Sequence, residues 1–120
     1  MGFVHLVGAG PGDPALLTLR ARELLDGCDV VAYDELCSDA LLASVPATAE
    51  LLPVGRRAND GQKRDACLHP DVLARALAGR RVVRLKAGDP LVFGRGGEEA
   101  EELAAAGVPF DIVPGVSAAL

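Results

Sequence analysis

Phe3-Val4-His5-Leu6-Val7-Gly8-Ala9-Gly10-Pro11-Gly12-Asp13-Pro14 is the stretch that decides the fold. Phe3–Val7 is a short apolar run with one polar residue, His5, and Gly8 bounds it, so it reads as a buried strand. In an apolar strand His5 reads as a structural residue. The glycine turn leads to Asp13-Pro14, which reads as a helix start. The carboxylate can cap, and proline has the right φ where no backbone N–H is needed. Leu16, Leu17, Ala21, Leu24 and Leu25 then keep helical spacing, and Gly27 stops the helix.

The same unit recurs outward from there. Asp29–Tyr33 reads as a second buried strand, Ser38 to Val45 as a short helix ended by Pro46, and Glu50–Val54 as a third strand. Residues 55–67 form the longest polar, irregular stretch. Pro70–Ala78 reads as a helix stopped by Gly79, and Arg81–Leu85 as a fourth strand. Glu98–Ala106 reads as a helix with acids in its first turn, ended by Gly107, and Phe110–Val113 as a fifth strand. Apolar strands alternating with helices predict an α/β fold. The expected architecture is a mostly parallel five-stranded sheet with helices on both faces.

The chain of 120 residues has no internal repeat or low-complexity linker, so it reads as one domain. Its hydrophobic share of 50% excludes disorder. Trp is absent and there are only one Tyr and three Phe, which argues against single-stranded nucleic-acid binding by base stacking. The net charge of −5 gives no general affinity for nucleic acid. That charge is unevenly spread. Residues 56–86 hold nine basic residues against three acids, a local +6, and read either as a solvated basic surface or as a place for anions. Cys28, Cys37 and Cys67 have no metal-binding spacing and read as reduced thiols of a cytoplasmic protein. No metal site is expected. No apolar run approaches the roughly 18 residues of a membrane span, and no leader pattern opens the chain.

Ligands of open α/β sheets bind beyond the carboxyl ends of the strands. Four such ends here carry unusual chemistry. Gly8-Ala9-Gly10-Pro11-Gly12-Asp13 resembles a dinucleotide fingerprint, but its third glycine falls one position early and Pro11 removes a backbone donor. A nicotinamide-binding domain and a plain glycine turn both remain readings of this loop alone. Asp34 follows the second strand directly. A carboxylate at the mouth of a buried strand is partly desolvated, which suits a general base, although a helix cap or surface acid is an equal reading. Arg56-Arg57 can clamp carboxylates or lie solvated. The segment from Lys86 through Gly88, Pro90, Gly94 and Arg95 to Gly97 packs glycines and prolines so densely that a ligand site explains it better than a plain loop.

Together these loops resemble the uroporphyrinogen-III C-methyltransferase family of the tetrapyrrole methylase superfamily. The opening Val7–Pro14, the Asp29–Asp34 strand end, Val82–Lys86 with Gly88-Asp89-Pro90, Val92–Glu99 and Val113–Ala119 carry the resemblance. It implies S-adenosylmethionine-dependent methylation of uroporphyrinogen III to precorrin-2, the branch compound towards siroheme and cobalamin. It implies catalytic positions at Asp34, as base, and Arg56. Pro11, Ala87, Gly88, Asp89, Val92, Ser117 and Ala118 would line the S-adenosylmethionine site. Gly10, Arg57, Lys86 and Arg95 would bind the tetrapyrrole, whose many carboxylates suit the basic block. Partners are expected to be this small-molecule substrate and, in a full-length enzyme, a second subunit, with no nucleic acid and no membrane.

The resemblance also implies that residues 1–120 are the N-terminal domain. A second domain would lie beyond this chain, and the fragment alone would have little turnover. Three positions depart from the family pattern. Arg56 replaces a Lys, and a guanidinium does not deprotonate near neutral pH, which favours a clamp over a proton donor. Ala87 replaces a Gly, and residues 62–72 replace the family's usual loop. These departures support an alternative, a degenerate or stand-alone tetrapyrrole or S-adenosylmethionine binding domain, or another tetrapyrrole methylase.

Overall fold

Apolar strands that alternate with helices have one compact solution, a sheet buried on both faces, and the chain adopts it. The computed structural model describes residues 2–8, 17–33, 37, 39–54, 70–86 and 96–113, with the side chains of 96–99 excepted. Its elements are β1 (Phe3–Gly8), α1 (Leu19–Gly27), β2 (Val30–Tyr33), α2 (Asp39–Ala43), β3 (Glu50–Pro53), α3 (Pro70–Leu77), β4 (Arg81–Lys86), α4 (Gly96–Ala105) and β5 (Phe110–Val113). The strands form a five-stranded sheet in the order β3-β2-β4-β1-β5. All the strand pairs are parallel.

The helix boundaries have local causes. α1 starts at Leu19, later than Asp13-Pro14 suggested. Thr18 is its N-cap, with Oγ1 accepting from the Ala21 amide at 3.1 Å. Asp13, Pro14 and Leu16 lie outside the described residues, as does Ser38, the expected cap of α2. Two glycines end helices in the left-handed region, Gly79 after α3 at φ +91° and Gly107 after α4 at φ +76°.

The alternation of each strand sorts the core into two layers. Val7, Val31, Val83, Leu85 and Val113 point to one face and pack with Ala21 and Leu25 of α1 and Leu41 of α2. Val4, Leu6, Val30, Ala32 and Val82 point to the other face and pack with Val72 and Ala76 of α3 and Leu103 of α4. Both faces of the central strands are therefore covered, which accounts for their unbroken apolar runs.

At the amino ends of the strands the chain is drawn tight. Gly2 donates its N–H to the Ala76 carbonyl at 2.8 Å, and Phe3 donates to the Arg80 carbonyl at 3.3 Å. A Cβ on Gly2 would run into the Arg80 carbonyl oxygen, so only glycine fits this crossing. His5 is buried, as its strand context suggested, and its Nδ1 lies 2.7 Å from Asp111 Oδ1 on β5.

Candidate active site

The register brings the strand ends to one level. Gly8 pairs with Lys86, Val7 with Leu85 and Val113, and Tyr33 with Leu85 and Pro53. Gly8, Tyr33, Val113 and Lys86 immediately precede Ala9, Asp34, Pro114 and Ala87. Three of the four unusual segments, those beginning at Ala9, Asp34 and Ala87, therefore leave a single edge of the sheet; the fourth follows β3, whose Pro53 pairs with Tyr33 at the same level, and the segment after β5 leaves the same edge. Their spacing in the sequence hides this, because β4 runs between β2 and β1.

That placement also meets the topological condition for a ligand-binding crevice. The helices after β1 and β2 pack on one face, and those after β3 and β4 pack on the other. β4 lies between β2 and β1, so neighbouring strands send their chains to opposite sides at both of its borders. Loops that part in this way leave a crevice at the carboxyl ends, where open α/β sheets take their ligands.

Of the candidate site residues, Lys86 is the one within the described residues. It is the last residue of β4, half-buried, opposite Gly8. Gly10, Pro11, Asp34, Arg56, Arg57, Ala87, Gly88, Asp89, Val92, Arg95, Ser117 and Ala118 lie outside them.

The basic block 56–86 does not form one anion surface, a correction to the charge arithmetic. Arg75 on α3 is turned to the far end of the sheet, where it donates from Nη2 to Glu50 Oε2 at 2.8 Å and from Nε to Oε1 at 3.2 Å. Arg80 reaches the same carboxylate at 3.9 Å. Arg81 opens β4 at that end, its N–H donating to Asp29 Oδ2 at 2.9 Å. The hydrogen bond from Arg75 holds the Glu50 carboxyl below the ordinary carboxylate range, and the same bond holds the Arg75 guanidinium above its own. Arg75 and Arg80 are thus ion-paired to Glu50, and Arg81 lies at the same end. Lys86 is the described, half-exposed cation of the block at the carboxyl edge, with Arg84 buried two residues before it, and Arg56, Arg57, Lys63 and Arg64 lie outside the described residues.

Sequence reasoning passed over two residues at the crevice. Arg84 is 7% exposed, inside an otherwise apolar strand, and Nη1 donates to the Leu85 carbonyl at 3.0 Å. Cys37, buried beyond β2, brings Sγ to the same carbonyl at 3.6 Å. The signal for Arg84 was present in the sequence, as a charge set between Val83 and Leu85, but net charge counted it as surface. Cys37 carried no signal, because a buried thiol and a small apolar residue look alike.

An open parallel sheet with glycine-rich and charged loops at one carboxyl edge defines the class of α/β proteins that bind small ligands at that edge. Residues 4–120 match the family of Tetrapyrrole (Corrin/Porphyrin) Methylases, and the chain belongs to that family. An S-adenosyl-L-methionine-dependent uroporphyrinogen III methyltransferase of Methanosarcina barkeri is 50% identical over 119 residues, which is 99% of this chain and 47% of that protein. A siroheme synthase of Pseudomonas fluorescens (strain Pf0-1) is 53% identical over 118 residues, 98% of this chain and 25% of that protein. Among solved structures, a uroporphyrin-III C-methyl transferase from Thermus thermophilus complexed with S-adenyl homocysteine superposes with a TM-score of 0.82 at 49% identity. It covers 97% of this chain and 49% of that one. The chain thus spans about half the length of the methyltransferases it matches and about a quarter of the siroheme synthase.

Proposed function

We propose that the chain is the N-terminal domain of an S-adenosylmethionine-dependent uroporphyrinogen III C-methyltransferase, serving siroheme or cobalamin synthesis. The observation that carries this reading is that these segments all leave one edge of the sheet, from strand ends that the register sets side by side. The edge fits the methyl donor in kind. The sequence that leaves it holds glycines, which permit close approach, and the carboxylates of Asp34 and Asp89, a kind of group suited to a sulfonium or an ammonium. Similarity to proteins whose names specify S-adenosylmethionine and uroporphyrinogen III supports the same reading.

When bound, S-adenosylmethionine supplies an activated methyl group. The work left to the chain is alignment of a nucleophilic ring carbon with that methyl, which is catalysis by proximity. Pro11, Ala87, Gly88, Asp89, Val92, Ser117 and Ala118 would hold the donor. Gly10, Arg57, Lys86 and Arg95 would hold the tetrapyrrole, the cations by its carboxylates. Asp34 would take the proton lost when the methylated ring restores its conjugation. Arg56, which stays charged, would clamp a carboxylate rather than donate a proton. In a full-length enzyme a second domain would complete the donor pocket, and two copies would pair.

Calorimetric titration of the full-length protein with S-adenosylhomocysteine, a porphyrin carboxylate and NAD tests the assignment. Binding of the first two and no signal from NAD is expected. Binding of neither of the first two would favour a degenerate domain, and an NAD signal alone would favour an oxidoreductase.

A further inference from the structure

A guanidinium inside a sheet is costly unless its position is used, and β4 carries one at its next-to-last turn of the pleat. Arg84 shares a strand face with Val82, the face that α3 and α4 cover. Its Cα partners are Leu6 and Ala32, both core residues. The charge is therefore withdrawn from solvent and its Nη1 turns back onto the peptide of the next residue, Leu85. That carbonyl sits where β2 ends, since Tyr33, its register partner, is the last residue of β2. It is also the point reached by Cys37 Sγ from the segment beyond β2. One residue further, at Lys86, β4 itself ends and the chain passes to Ala87, Gly88 and Asp89.

We propose that Arg84 is a positioning residue whose guanidinium anchors the Leu85 carbonyl and so sets where the chain leaves β4 for the methyl-donor segment. Arg84 then contributes to the site through the Leu85–Lys86 peptide and not by touching the tetrapyrrole carboxylates, although charge counting would place it among the anion binders. A planar fork with several donors suits this task, because one nitrogen can hold the carbonyl while the others keep further partners. The functional part of this inference rests on the methyltransferase reading; the structural part does not.

The test compares the full-length protein with Arg84→Lys, which keeps the charge and loses the fork, and Arg84→Gln, which loses both. Amide exchange at Leu85 and Lys86 should accelerate in both variants by about tenfold while exchange along β1 holds. The Kd for S-adenosylhomocysteine should rise by about tenfold, with a smaller rise in the KM for uroporphyrinogen III through the displaced Lys86. Unchanged exchange at those two amides overturns the inference. So does a rise confined to the tetrapyrrole KM, the mark of a guanidinium on substrate carboxylates. Should the Gln variant not fold, the Lys variant decides both readouts. A wild-type protein that binds no S-adenosylhomocysteine would sink the methyltransferase reading instead, and the exchange readout would still decide the role of Arg84.

Discussion

His5 Nδ1 and Asp111 Oδ1 stand 2.7 Å apart and join β1 to β5 at directly opposed register positions. β5 lies at one end of the strand order, and among the described strands it pairs with β1. The pair therefore ties down the strand that leads into Pro114–Ala118. Asp111→Ala would leave the buried imidazole without this partner. The expected loss is about 1–3 kcal/mol of unfolding free energy, read from urea denaturation. An unchanged midpoint would show that the pair adds nothing to folding.

The glycines separate two kinds of cost. Gly79 and Gly107 have open space around a would-be Cβ, so alanine there meets only the strain of positive φ. Each substitution should cost about 1–2 kcal/mol. Gly2→Ala must also displace the Arg80 backbone and should cost more than either. Equal denaturation midpoints for the three variants would contradict the close crossing at Gly2.

Glu50 makes stability depend on acid. Its carboxyl is held low by the Arg75 hydrogen bond, so the folded state favours the ionised form. The resulting stabilisation is fully present above the ordinary carboxyl value of 4.5 and is lost as pH falls through the lowered folded value. Wild type should exceed Glu50→Gln in stability at neutral pH, and the gap should close in acid. A gap that persists unchanged under acid would rule out the linkage.

Cys28 should be a slow thiol. Burial is the main force raising its pKa, and Asp29 and Asp26 add to it. The neutral thiol is the unreactive form. Iodoacetamide at mildly alkaline pH should modify Cys28 in the folded protein several-fold more slowly than in urea, by mass mapping. Equal rates would show that the site is open.

Much of the fold was legible because its signals are local. Phe110–Val113 forms the strand its apolar run suggested, and Gly79 and Gly107 stop their helices as their positions implied. Boundaries slipped where a signal was ambiguous. Thr18, not Asp13, caps α1, and α2 ends at Ala43 before the expected Val45. β1 and β4 each run one residue further than expected, to Gly8 and Lys86, because the two strands pair to their ends. The charge pattern was read least well. Arg75, Arg80 and Arg84 contribute to the same +6 block, yet two are ion-paired at the far end of the sheet and one is buried. Net charge along a chain carries no direction, and only the strand register shows which end of the sheet a cation occupies. The segments that carry Asp34 and Gly88 stand out one by one in the sequence, but the adjacency of the strand ends they leave depends on β4 inserting between β2 and β1, a long-range pairing invisible to local patterns.

The most direct measurement is methyl transfer itself, with labelled S-adenosylmethionine and uroporphyrinogen III supplied to the full-length protein. The account predicts that label enters the tetrapyrrole to give precorrin-2. It also predicts that Asp34→Ala lowers kcat by about a hundredfold or more, while S-adenosylhomocysteine still binds. A folded wild-type protein that binds both ligands and transfers no methyl group, or an Asp34→Ala variant with undiminished kcat, would contradict it.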